Sequence, residues 1–195
     1  MTFTSIFSDA VKRVQPSATL TISARAGDMK RRGIDVIDLS TGELDFDTPE
    51  HIKEAARAAL AKGDTKYVAT NGTPDFRAAI VEKLKRDNGL DYDASQICVS
   101  AGAKQSIHNL IMAVVNRGDE VVIPAPYWVS YPEMVLMAGG VPKIVPTDDA
   151  DGFRISAPEL ERAINKRTKV LIMNSPGNPT GAVYHREHID ALVQV

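Results

Sequence analysis

The sequence predicts an α/β fold with a mostly parallel sheet that carries helices on both faces, preceded by an amino-terminal arm and helices. Two observations predict it. From residue 96 onward, short apolar runs alternate with segments whose apolar residues recur every three or four positions. The short runs are apolar almost throughout, as in strands that are buried on both faces. The expected strands cover residues 97–100, 120–123, 142–145 and 169–174, and the expected helices lie near 104–116, 130–138 and 156–165.

The part before residue 96 contains helix signals and little strand pattern. Residues 1–16 have weak periodicity and end at a proline, which indicates an extended or partly helical arm. Ser17 can cap a helix that reaches Arg32, and Thr73 with Pro74 can start another that ends near residues 88–89. A third helix is expected between Thr48, as its N-terminal cap, and Gly63, and residues 36–39 are expected to form a first short strand.

Composition excludes several classes of protein. The 195 residues are 44% hydrophobic and 25% charged, which is enough apolar material for a sizeable core. The 23 basic and 25 acidic residues give a net charge of -2, so no nucleic-acid or membrane partner is expected. No basic segment followed by an apolar segment opens the sequence, and no apolar stretch approaches about 20 residues, so neither a signal peptide nor a membrane span is expected. The single cysteine, Cys98, cannot form an internal disulfide, so a cytoplasmic protein is expected.

Three loops that follow expected strands contain residues suited to a ligand. In the first, Ala101-Gly102-Ala103 precedes a helix. The free N–H groups and the positive dipole end of a helix N-terminus suit a phosphate. An ordinary strand-to-helix turn would also use a glycine there, and this is the more frequent meaning of such a pattern taken alone.

The second loop, residues 124–131, contains Trp128, the only tryptophan, together with two prolines and two tyrosines. An indole at a strand end can lie flat on an aromatic ligand, and a tryptophan packed in the core is the alternative. In the third loop, residues 174–181, the carboxamide of Asn178 could bind a phenolate oxygen, and Pro179 could fix the loop by a cis peptide bond. Together the three loops predict a site for a phosphorylated aromatic ring.

Over nearly its whole length the sequence resembles the fold-type I aminotransferases that depend on pyridoxal 5'-phosphate, and their bacterial aspartate aminotransferase branch in particular. The most specific motif is Asn178-Pro179-Thr180-Gly181, and residues 42–49 and 125–133 are also similar. The resemblance implies a cytoplasmic homodimeric enzyme. It further implies that residues 1–48 form the arm and part of a small domain, and that residues 49–195 form an incomplete cofactor-binding large domain.

The resemblance also implies roles for individual residues. Trp128 would stack on the pyridine ring, and Asn178 would donate to its phenolate oxygen; both would also contact the substrate. The amides of Ala103 and Lys104, which follow Gly102, would face the phosphate. Gly42 would bind the substrate α-carboxylate through its N–H, and Tyr67 would reach the phosphate of the neighbouring subunit, which the amino-terminal arm would clasp.

The sequence departs from the family pattern at three places. Leu44 stands where the family usually has proline, and Gln15 stands where relatives often have a basic residue. The Schiff-base lysine, the aspartate and tyrosine of a later strand, and the arginine that grips the substrate are expected beyond residue 195. No catalytic residue is therefore expected among these residues, and the chain alone is predicted to be inactive. Lys104, at a helix start, is expected to have a structural or electrostatic role.

The expected function is amino transfer between an amino acid, aspartate or glutamate, and a 2-oxo acid. Two alternatives stay open: another fold-type I activity, such as that of a decarboxylase or lyase, and an inactive fragment that only binds a partner. His185 and His188 are three residues apart without a third ligand nearby, so no metal site is expected.

Overall fold

The computed structural model describes residues 6–195, which divide into two compact units. One unit contains the described residues up to Ser40 together with residues 107–195, and the other contains residues 41–106. These units are defined by packing alone. The predicted domain boundary between residues 48 and 49 stays a prediction.

The described residues form eight α-helices and three β-strands. The helices are α1 (Asp9–Arg13), α2 (Ala18–Arg31), α3 (Glu50–Ala61), α4 (Pro74–Asn88), α5 (Ala103–Val114), α6 (Ser130–Ala138), α7 (Ala157–Ala163) and α8 (Arg186–Val193). The strands are β1 (Glu120–Ala125), β2 (Val141–Pro146) and β3 (Thr168–Leu171), and a 3-10 turn covers Ala94–Gln96. Within this part of the chain, no helix has both the length and the apolar character needed to cross a membrane.

Most helices begin and end where the capping residues predicted. The hydroxyl of Ser17 accepts a hydrogen bond from the Leu20 N–H, and that of Thr73 accepts one from the Phe76 N–H, both at 3.3 Å. Gly89 ends α4 in the left-handed region, at φ +66°. The predicted cap at Thr48 is wrong, because α3 begins after Pro49 without a side-chain cap.

Two of the expected strands do not form. Residues 36–39 and 97–100 have no ladder of backbone hydrogen bonds to a neighbouring strand. In the second segment, the Val99 N–H donates instead to the carbonyl of Asn71, at 3.1 Å. An apolar run becomes a strand only where another segment supplies the backbone partners, and the run itself does not encode that partner.

The fold class is confirmed by a parallel sheet with the strand order β2-β1-β3, flanked by helices. Successive residues of the central strand point to opposite faces. Val121 and Ile123 pack with residues of α5 and α6 on one face, and Val122 packs with residues of α7 and α8 on the other. The partners are Ile111, Tyr131 and Val135 on the first face and Leu160, Ala163 and Leu192 on the second. Each valine, leucine or isoleucine among them stabilises the fold by roughly 1.5–3 kcal/mol through burial.

Glu120 is the only charged side chain that is buried among residues 6–195, with 3% of its surface exposed. It begins β1, at the end of the sheet opposite to the loops that follow the strands. Its carboxylate accepts a hydrogen bond from the Asn165 side chain at 2.7 Å, and forms ion pairs with Lys143 at 3.3 Å and with Arg167. The hydrogen bond from Asn165 is the largest cause of the lowered pKa of Glu120. The neighbouring cations Lys143 and Arg167 lower this pKa further.

This pKa shift predicts an acid-dependent loss of stability. Because the pKa is lower in the folded state, the contribution of Glu120 is present above the ordinary value of 4.5 and is lost as the pH falls through the folded pKa. We expect Glu120→Gln to lower the melting temperature at pH 7 and to flatten its decline below about pH 4.5. Thermal melts between pH 3 and 7 measure this. The control is Glu161→Gln on the exposed side of α7, and indistinguishable melts for the two variants would contradict the prediction.

Candidate functional site

The second loop leaves the carboxyl end of β1 and places Trp128 at the edge of the core. Trp128 is half-buried and packs against the cluster that contains Val121 and Val135. Its indole meets the ring of Tyr131 edge-on, with 5.4 Å between ring centroids and planes at 89°. One side of Trp128 is therefore anchored by the core and the remainder is accessible, and stacking on an aromatic ligand stays a prediction.

The third loop follows β3 and places Asn178 on the surface. The Asn178–Pro179 peptide bond is cis, as the prolines suggested, and Ala125–Pro126 and Ser175–Pro176 are cis as well. The backbone N–H of Asn178 donates to the side-chain oxygen of Asn174, at 2.8 Å. The Gly181 N–H closes the turn on the carbonyl of Gly177, at 2.7 Å. The loop is thus held by its own hydrogen bonds while Asn178 is exposed.

The second and third loops lie side by side. A cavity of about 30 Å³ between them is lined by residues of both, among them Tyr127, Tyr131, Asn174 and Asn178. This volume accommodates about one water molecule and no aromatic ring. A ring that contacts Trp128 and Asn178 would therefore lie outside the cavity.

Tyr184 supports the third loop, a role that the sequence did not reveal. Its hydroxyl accepts a hydrogen bond from the N–H of buried Ile155 at 2.9 Å, and its own N–H donates to the Ser175 hydroxyl at 3.0 Å. Burial raises the pKa of the Tyr184 phenol. The only signal in the sequence is a tyrosine between a proline-rich loop and a helix start.

The first loop, in the unit of residues 41–106, leads directly into the start of α5. Gly102 has φ +84°, a left-handed conformation that favours glycine, and α5 begins at the next residue. The Gly102 N–H donates to the Ser100 carbonyl at 2.8 Å. Gly102, Ala103 and Lys104 are all exposed. A helix N-terminus can offer N–H donors to an anion, and the expected binding of a phosphate by this turn stays a prediction.

Gly42 and Tyr67 lie in the same unit and are both exposed. Around Gly42, no heavy atom lies within 4 Å of the position that a Cβ would occupy, so a ligand can approach its backbone closely. Tyr67 is fully exposed. The roles expected for both residues stay predictions.

The amino-terminal arm is held against α6 of its own chain. The guanidinium of Arg13 donates to the carbonyls of Leu136 at 2.8 Å and Met137 at 3.2 Å, which caps the carboxyl end of α6. The N–H of Gln15 donates to the carboxylate of Glu133 at 2.9 Å. A pocket of about 440 Å³ is lined by residues 14–18 together with residues of the second loop and α6. That the arm also clasps a neighbouring subunit stays a prediction.

The two histidines that could suggest a metal cap a helix instead. The Nδ1 of His188 accepts a hydrogen bond from the His185 N–H at 3.2 Å, at the start of α8. Within residues 6–195, no group of three or more histidine, cysteine, aspartate or glutamate side chains is arranged to hold a metal ion.

Comparison with known proteins identifies close relatives. A family model described as aminotransferase class I and II matches residues 34–195. The chain is 50% identical over 188 residues to a probable aspartate/prephenate aminotransferase of Thermus aquaticus, an alignment that covers 96% of the chain and 49% of that protein. It is 49% identical over 191 residues to the aspartate/prephenate aminotransferase of Cereibacter sphaeroides, which covers 98% of the chain and 48% of that protein.

A solved structure of the Thermus thermophilus aspartate aminotransferase with maleate is also similar. The TM-score is 0.92 at 49% sequence identity, over 96% of the chain and 49% of the solved chain. The chain therefore spans about half the length of the relatives that it matches.

Proposed function

Since this chain belongs to the aminotransferase class I and II family, we propose that the protein containing it moves an amino group between an amino acid and a 2-oxo acid with pyridoxal 5'-phosphate. The observation that supports the proposal is that the loops of Trp128, half-buried after β1, and of Asn178, exposed after β3, line a common cavity. An indole and a carboxamide on adjacent loops suit a flat ring that bears an oxygen substituent.

Each part of the cofactor has a group of matching chemistry. Trp128 covers one face of the ring and excludes water from it, and Asn178 donates to the ring oxygen. The backbone amides of Ala103 and Lys104, after the left-handed Gly102, bind the phosphate. When bound, the pyridine ring supplies an electron sink for the electrons that are released at the substrate Cα.

For the substrates, we propose aspartate or glutamate as the amino donor. Gly42 holds the α-carboxylate through its N–H, and the open space around it supports this role. The names of the relatives, aspartate/prephenate aminotransferases, support an acidic amino acid and make prephenate an amino acceptor to test. Gln15 lines the pocket beside the second loop. Relatives often have a basic residue at this position, and such a residue would offer a positive charge to an acidic substrate, whereas Gln15 does not.

Residues 1–195 by themselves are proposed not to catalyse the reaction. The resemblance assigns the covalent attachment of the cofactor to a lysine of a later loop. Lys104, by contrast, is the second residue of α5, next to the turn proposed to bind the phosphate. The complete protein is proposed to act as a homodimer in which Tyr67, fully exposed in this chain, reaches the phosphate bound by the partner.

The test compares the complete protein with the polypeptide of residues 1–195, each incubated with pyridoxal phosphate. We expect the complete protein to form oxaloacetate from aspartate and 2-oxoglutarate, and to retain a cofactor label after borohydride treatment and denaturation. The shorter polypeptide should do neither. A retained label on residues 1–195 would contradict the missing lysine, and release of CO₂ from the amino acid by the complete protein would favour a decarboxylase.

A further inference from the structure

The side chain of Gln105 contacts the turn that precedes α5. The oxygen of its carboxamide accepts a hydrogen bond from the backbone N–H of Ala101, at 2.5 Å. The next N–H, that of Gly102, is used within the turn by the carbonyl of Ser100. Both N–H groups just before the helix are therefore satisfied internally, so a ligand at this end of α5 would have to use N–H groups that begin with that of Ala103.

Gln105 is placed for this role by helix geometry. It is the third residue of α5, the position from which a glutamine or glutamate side chain reaches back to the backbone in a capping box. Here it reaches one residue further, to Ala101, across the left-handed Gly102. It thereby fixes the direction from which the chain enters the helix.

The chemical type of residue 105 also matters. Glutamate has the same length and could accept the same hydrogen bond, but it would bring a negative charge to the helix N-terminus. Like charges repel strongly at short distances outside bulk water, and a phosphate ester carries up to two negative charges. A neutral carboxamide holds the turn without that repulsion.

We propose that Gln105 is a positioning residue for the phosphate of the cofactor. By holding the Ala101 N–H, it keeps the turn of residues 100–102 in the one conformation that leaves the first-turn amides of α5 directed at the anion. The inference rests on the proposed function, because it takes this turn as the phosphate site of pyridoxal phosphate. A residue that only capped the helix would affect stability without any preference for phosphorylated ligands.

The test measures equilibrium binding of pyridoxal phosphate and of pyridoxal, which lacks the phosphate, to the complete protein freed of cofactor. Three variants are compared: Gln105→Leu, which removes the acceptor, Gln105→Glu, which keeps the acceptor and adds a charge, and Asn109→Leu. The last is the matched control, because Asn109 is an exposed amide residue further along the same helix. Thermal melts of the cofactor-free proteins report on folding.

Gln105→Leu should weaken binding of pyridoxal phosphate by roughly threefold to tenfold, the equivalent of one hydrogen bond, and leave pyridoxal binding unchanged. Gln105→Glu should keep the wild-type melting temperature and still weaken pyridoxal phosphate binding by about tenfold or more. Asn109→Leu should change neither. Equal losses for the two ligands, or wild-type affinity in Gln105→Leu, would overturn the inference. If the wild-type protein itself binds pyridoxal phosphate no better than pyridoxal, the proposed function of this turn fails instead.

Discussion

Replacing Trp128 with leucine should weaken the binding of pyridoxal phosphate to the complete protein by roughly tenfold to a hundredfold, the range expected for the loss of one aromatic stacking partner. Leucine keeps an apolar side chain against the core cluster but offers no flat face to a ring. Trp128→Phe keeps a ring that can still meet Tyr131 edge-on, so its loss of affinity should be less than about fivefold.

The comparison of the two variants separates stacking from packing. Both remove volume beside the core cluster, so both should lower the melting temperature of the cofactor-free protein. Only leucine should also cause the large loss of affinity, which spectroscopic titration with the cofactor measures. Equal affinities for the leucine and phenylalanine variants would mean that Trp128 is a packing residue, the alternative that the sequence left open.

Replacing Ile123 with alanine should destabilise the fold by roughly 2–5 kcal/mol, the usual cost of truncating a buried isoleucine. Ile123 is 1% exposed, belongs to the same buried cluster as Ile111 and Val135, and also lines the cavity between the second and third loops. Because a cavity already lies beside it, we expect a cost in the upper part of that range, together with weaker cofactor binding as the loops lose their support.

A matched control for this change lies on the neighbouring strand. Ile144 is the register partner of Ile123 on β2 and is 39% exposed, so Ile144→Ala removes the same atoms from a more open position. We expect a loss of less than about 1.5 kcal/mol for that variant. Denaturant unfolding of the cofactor-free proteins measures both, and equal losses would contradict the assignment of Ile123 to the centre of the core.

The helix ends were predictable because their causes are local. The start of α4, for example, depends on Thr73 and Pro74, and its end depends on Gly89. All three residues can be read from the sequence. The predicted strands were correct only where a neighbouring strand supplies backbone hydrogen bonds. Residues 120–123 and 97–100 have similar apolar character, yet only the first segment has partners on both sides.

The candidate site was predictable in its loops and not in their supports. Trp128 and Asn178 stand out because unusual residues follow apolar strands, and parallel strands bring such ends to one edge of a sheet. The supporting contacts of Tyr184 and Gln105 depend on the direction of each side chain in the folded protein, which a tyrosine or glutamine in the sequence does not indicate.

The α/β class, the family and the residues proposed to bind the cofactor can be read from the sequence, since these depend on periodicity and on motifs within a few neighbouring positions. The three-dimensional packing was needed to show that Glu120 is buried among two cations and an amide, and that Arg13 caps α6, 123 residues further along the chain. The physical reason is distance along the chain. A cap or a turn is specified by residues that are already adjacent, whereas these contacts exist only after the core has brought separate segments together.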